Sequence, residues 1–180
     1  KYCHTCVENI CNFTLQYHVK QQNRLTMFKF DLDERGYLKK RECSDLEYKQ
    51  NFHRGDDTLK YIKTLVGMAN NKGGCIVFGV KDSPHVPLGM TNSKFTELDP
   101  KDFDNQMRQF FSPAIEWSMT TEMHEGKLFG AMTVKEADTK PILCSRSKTP
   151  ILREGAIYFR YRGETKELEY PELHKLLEVE

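Results

Sequence analysis

Four side chains set the chemistry worth looking for. Glu42, Glu47 and Lys49 stand in the run R-E-C-S-D-L-E-Y-K, and Asp82 ends a later G-V-K-D. Carboxylate oxygens are hard ligands, and three of them together suit a divalent ion such as Mg²⁺ or Mn²⁺. Such an ion can polarise a phosphodiester, lower the pKa of a bound water or steady a leaving oxygen. A lysine beside them would offset the charge that grows on a phosphate in the transition state. The plain alternative is an ordinary Glu-Lys pair on a strand, with an unrelated acid in a turn.

Two strands must deliver these groups. With the period of two that a strand imposes, Leu46 and Tyr48 take one face while Asp45, Glu47 and Lys49 take the other. Glu42 is an odd number of residues from Glu47, so the two converge only if the chain bends between them, and Cys43-Ser44 is where the bend is expected. Cys75 to Val80 is apolar almost throughout, the pattern of a strand covered on both faces and the expected centre of the sheet. Lys81 and Asp82 leave its C-terminal end, a place where functional side chains are often displayed. Between the two strands, Asp56, Asp57 and Thr58 open a helix with Leu59, Ile62, Val66 and Ala69 on one side. Asn70, Asn71, Gly73 and Gly74 close it.

The remaining segments fill out the fold. Phe28, Phe30 and Leu32 alternate as a short strand that turns around Gly36, and the basic run Lys39-Lys40-Arg41 follows, ordinarily a solvated face. His53 and Arg54 occupy a polar loop within reach of a phosphate, though solvation is the ordinary fate of such a loop. Asp99-Pro100 opens a helix with Phe103, Met107, Phe110 and Phe111 on its buried stripe, stopped by Pro113. Ile115 to Met123 alternates and turns at Glu125-Gly126-Lys127 into L-F-G-A-M-T-V, an antiparallel hairpin. In G-A-I-Y-F-R-Y-R-G, Ile157, Phe159 and Tyr161 share one face and Tyr158, Arg160 and Arg162 the other. Placed outward, the second set makes a phosphate and base platform, because arginine forks match phosphates and rings stack on bases. A solvated strand face explains it nearly as well. Pro171 opens a last helix carrying Leu173, Leu176 and Leu177. This order of elements predicts a mixed α/β (α+β) domain, with one largely antiparallel sheet and helices packed on it.

Composition bounds the function without choosing it. At 180 residues the chain is the size of one domain, and 38% hydrophobic with 29% charged residues describes a globular chain, not a disordered one. No apolar run approaches a membrane span and no secretory leader pattern opens the chain, so a cytoplasmic protein without membrane contact is the simplest expectation. A formal net charge of +1 does not announce a nucleic-acid binder, yet phosphate contacts need only a local basic surface. Residues 1–39 are expected to form an arm or appendage to a domain spanning 40–180, with Met27 opening the better-patterned region. Cys3, Cys6, Cys11 and His18 could supply zinc ligands on paper, but the second couple is too loosely spaced and zinc is not expected.

Four motifs in order, E-x-x-x-x-E-x-K at Glu42 to Lys49, A-N-x-x-G-G at Ala69 to Gly74, G-V-x-D at Gly79 to Asp82 and G-x-I-Y-x-R-x-G at Gly155 to Gly163, closely resemble the Schlafen family's AlbA-type domain. The resemblance covers about residues 40–178. It implies an AlbA-like fold and association with nucleic acid, RNA or DNA. It also implies that Glu42, Glu47 and Asp82 form the acidic trio which, in some members, supports metal-dependent cleavage of structured RNA such as tRNA. Lys49 would stand beside that trio, and Arg54, Arg160 and Arg162 would join it in holding nucleic acid. Bacterial relatives imply an alternative, a non-catalytic DNA-binding transcriptional regulator. A third reading, ATP binding, is weaker because neither G-x-x-x-x-G-K-[ST] nor G-x-G-x-x-G occurs. Eukaryotic relatives build their groove from two similar lobes, so a homodimer is expected of a single lobe.

Overall fold

The computed structural model describes residue 28 and residues 30–177. By its contacts the chain divides into residues 1–31 and residues 32–180. Of the first unit, the rings of Phe28 and Phe30 meet edge to face at 6.3 Å. The zinc candidates Cys3, Cys6, Cys11 and His18, and Met27, lie outside the described residues.

The second unit begins with a turn. Asp33 Oδ1 accepts the backbone N–H groups of Arg35 and Tyr37, and Leu32 faces Leu38 through a single antiparallel bridge. Among the described residues, the expected strand from Phe28 to Leu32 shows only this bridge, and the Asp33 side chain satisfies the backbone locally. Leu38 N–H then donates to the His85 carbonyl at 2.9 Å, tying this piece to the body of the unit.

The central sheet has four strands in the order β1-β2-β7-β6. Strand β1 (Leu46–Lys49) runs parallel to β2 (Gly73–Phe78), with Leu46 opposite Cys75 and Glu47 opposite Ile76. Helix α1 (Asp56–Asn70) makes the crossover between them. Its first turn carries the two expected aspartates, but the cap is Gly55 at φ 78 with no side-chain bond. Gly79, at φ 106, ends β2, and the short ladder of β3 (Val80–Lys81) with β4 (Val86–Pro87) follows. Asp99 caps α2 (Pro100–Phe110) by accepting the Lys101 N–H at 2.8 Å. Phe111 leaves the expected helical stripe, because β5 (Phe111–Ser112) pairs it with β8 (Leu143–Cys144). The expected hairpin is β6 (Trp117–His124) with β7 (Lys127–Lys135), antiparallel throughout. A second hairpin, β9 (Tyr158–Arg160) with β10 (Thr165–Glu167), lies over α1, and α3 (Tyr170–Leu177) closes the described chain.

This is the mixed α/β, largely antiparallel architecture that the order of elements implies. Its core is the layer between α1 and the sheet. Ile62, Leu65, Val66, Met68, Ile76, Phe78 and Met132 are fully buried there, each large side chain contributing roughly 1.5–3 kcal/mol. Among the described residues no helix is long and apolar enough to cross a membrane.

Candidate functional site

The two faces of β1 carry different groups. Ile76 and Phe78 of β2 belong to the core, and Tyr61 of α1 meets Phe78 edge to face at 5.3 Å. Their direct partners Glu47 and Lys49 therefore point to the α1 side. Leu46 and Tyr48 point the other way, in line with Cys75 and Val77.

On the α1 side Glu47 is almost wholly buried, 8% exposed, and is held by two cations. Lys49 Nζ lies 2.6 Å from its Oε1 and Arg160 Nη1 2.8 Å from its Oε2. Arg160, 3% exposed, also reaches the Cys43 carbonyl and the Thr165 hydroxyl. The expected outward platform on β9 is thus inverted at two of its three residues. Tyr158 and Arg160 face inward, and Arg162 is exposed beyond the strand. The physical reason lies in α1. Gly67 has no side chain where the β9 backbone crosses, and a Cβ there would stand 3.2 Å from the Arg160 nitrogen. Asn70, fully buried, donates to the carbonyls of Tyr158 and Ile142 and accepts the Ile142 N–H at 2.8 Å. Asn71 donates to the Arg160 carbonyl. The A-N-N-K-G-G segment is therefore a bracket for β9 as well as a helix end. The signal for it in the sequence is the pair of adjacent asparagines, Asn70 and Asn71, that closes α1.

The bend before β1 exists. Cys43 and Leu46 close a tight antiparallel turn, Cys43 N–H donating to Leu46 O at 3.0 Å. It brings Glu42 back along β1, where its Oε1 accepts the Tyr48 N–H at 2.8 Å. Asp45 and Lys49 carbonyls bond to β2, so by alternation Tyr48 N–H belongs to the outer edge, and the Glu42 carboxylate covers that edge. Asp82 follows β3 and is 72% exposed as a side chain, with Oδ1 3.7 Å from His85 Nδ1. The His85 ring packs on Tyr48 at 5.0 Å, so Asp82 is tied to the side of β1 opposite Glu47.

Each carboxylate of the trio therefore has its own partner: Glu42 a backbone amide, Glu47 two cations, Asp82 a histidine. Among the described residues no three His, Cys, Asp or Glu side chains gather in a way that could hold a metal ion. In this arrangement the trio does not fit one shared divalent ion.

What does open beside Glu47 is a cleft of about 410 Å³ between the end of β1 and the first half of α1. Glu47, Lys49, His53, Asp57, Lys60 and Tyr61 line it. Lys60 holds the Asp57 carboxyl below its ordinary range through a 2.8 Å contact. Burial pushes the Tyr61 phenol up to about 12, so it remains a neutral donor at physiological pH. Arg54 stands just outside these lining residues, 57% exposed, 3.8 Å from Glu97. Lys49, Lys60, a histidine and a phenol around a small concavity can offer charge and hydrogen bonds to a phosphate. On the other face, burial raises the Tyr48 phenol to about 12 and the Cys75 thiol to about 11.

The chain is similar to known proteins. A protein of Ureaplasma parvum described as an uncharacterized ATP-binding protein is 30% identical over 158 residues, covering 80% of this chain. The chain spans 44% of that relative's length. In the solution structure of the N-terminal domain of a RecG-related protein from Nitrosomonas europaea, 23% identical, the superposition has a TM-score of 0.46. It covers 72% of this chain and 87% of that one. The sequence profile of the Schlafen AlbA_2 family matches residues 42–169, which include all four motifs and all three acids, and the chain belongs to that family.

Proposed function

We propose that this chain is a nucleic-acid-binding domain that grips the phosphate backbone through the cleft beside β1. The observation that carries the reading is the placement of Lys49, His53 and Lys60 around one concavity, where Glu47 and Asp57 orient the two lysines. Arg54, exposed at its margin, extends the basic surface. Exposed Arg162 and the run Lys39-Lys40-Arg41 add basic surface elsewhere. Arg160 plays a different part from the one its sequence position suggests: buried on Glu47, it holds the lysine-bearing strand in place. Family membership supports the same substrate class.

The test is binding of fluorescent RNA and DNA oligomers, single-stranded and structured, followed by anisotropy over a range of salt. Affinity is expected to fall linearly in log-log form with salt, and Lys49→Gln to weaken binding several-fold and flatten the slope by about one. Salt-insensitive binding, or a Lys49→Gln variant that binds as the parent does, would overturn the proposal.

Cleavage of structured RNA is the finer reading, supported by the presence of all three acids of the family's trio, Glu42, Glu47 and Asp82, in this chain. For Glu42, Glu47 and Asp82 to share Mg²⁺ or Mn²⁺, Glu42 and Asp82 must leave their present partners. Incubating tRNA with the protein, with and without Mn²⁺, beside Asp82→Ala decides it, because Asp82 is exposed and its loss leaves the fold in place. Intact RNA in every lane leaves binding as the function, with a DNA-binding regulator as the non-catalytic form. The name of the Ureaplasma relative raises ATP binding, and the same anisotropy format with labelled ATP addresses it.

A further inference from the structure

The two edges of the central sheet are finished differently. At β1 three of four residues are buried, and Glu42 and the Cys43-Leu46 turn cover the outer backbone. At β6 no residue is buried and the strand pairs on one side only. Among the described residues no backbone hydrogen bond leaves β6 except toward β7. The strand is eight residues long, with a continuous register and no proline. Edge strands usually carry a lysine, proline or bulge that discourages pairing, and β6 has none of these.

The hairpin geometry says which groups are exposed. Glu125 and Gly126 have φ of 51 and 74 in a two-residue turn, the primed type in which the flanking residues His124 and Lys127 form the hydrogen-bonded pair. By alternation Ser118, Thr120, Glu122 and His124 bond inward to β7. The backbone groups of Trp117, Met119, Thr121 and Met123 then point out from the edge.

We propose that β6 pairs antiparallel with β6 of a second copy of this chain, about a two-fold axis at Thr120. Because both copies keep the same face up, only a register centred on a residue preserves facing. Thr120 is the centre that matches the side chains. Met123, 61% exposed and apolar, then lies against Trp117 of the second copy, whose ring already rests on Phe103 at 4.6 Å. Met119 faces Thr121, and the acid Glu116 faces His124. The outward backbone groups of all four odd residues find partners, and the sheet runs unbroken through the dimer. Both clefts beside β1 stay open, since they flank the opposite edge.

The test is sedimentation combined with site-directed crosslinking. Opposed non-hydrogen-bonded residues have Cβ atoms about 4.5–5.5 Å apart, within disulfide reach after small adjustment. Under mild oxidation Thr120→Cys is expected to form a disulfide-linked dimer well above the parent's background, while Ser118→Cys, which faces Glu122, is not. Met123→Lys, a change at an exposed position, is expected to weaken dimerisation at least tenfold with an unchanged thermal transition. A parent that sediments as a monomer at 100 µM overturns the proposal. So does a dimer indifferent to Met123→Lys, or equal crosslinking at positions 118 and 120.

Discussion

The two faces of β1 handle charge in opposite ways. On the α1 side a carboxylate and a guanidinium are taken out of water together, with Lys49 at the rim. On the other side burial keeps a phenol and a thiol neutral, while the Asp82 carboxylate stays in solvent. The lesson is that a motif defined by three acids contains groups under unequal constraint. Glu47 cannot be changed without disturbing the fold, whereas Asp82 is nearly free of it, so a loss of activity means different things at the two positions.

The contrast is sharpest at Arg160. Arg160→Met leaves Glu47 buried with Lys49 as its remaining countercharge, and a stability loss of about 3 kcal/mol is expected in denaturant titration. The double variant Glu47→Gln/Arg160→Met should recover much of that loss. A single-variant cost below about 1 kcal/mol would erase the distinction between the faces.

A smaller effect is expected from Cys75. Its thiol moves from an ordinary 9.0 to about 11, so the folded chain favours the protonated form. The resulting stability is complete below pH 9 and is lost as pH rises through 11. Thermal midpoints should therefore fall across that window, and Cys75→Ala should flatten the fall. An unchanged slope would mean that Cys75 is wet. The smallest effect is at Asp82: Asp82→Ala should alter stability by under about 0.5 kcal/mol. Any larger change in nucleic-acid binding or cleavage would then report on chemistry directly.

Much of this was legible in the sequence. The α1 stripe, the aspartate-proline start of α2 and the Glu125-Gly126 turn each follow from local rules, and local rules hold where neighbours in the chain decide the outcome. Parity asked for a bend at Cys43-Ser44 so that Glu42 could meet Glu47; the turn is there, but it carries Glu42 to the outer edge of β1. What escaped is non-local. Alternation divides β9 correctly into two sets but cannot say which set is inward, and arginine's usual exposure pointed the wrong way. Glu47, far away in the chain, makes a buried arginine tolerable, and Gly67 makes the space. The side of β1 on which Asp82 comes to rest is set by the packing of His85 on Tyr48, a contact no spacing encodes.

Asn70 has a consequence for motion. Its one side chain joins the end of α1 to Ile142 and Tyr158, 72 and 88 residues away in the chain. Segments stapled this way cannot fray one at a time. The Ile142 amide should therefore exchange with deuterium only when the whole unit opens, in step with the innermost amides of α1. The exposed turn at Asp82 should exchange long before. The chain would then present a slow-exchanging anchor at the C-terminal end of α1 and a fast-exchanging rim on the far side of the sheet.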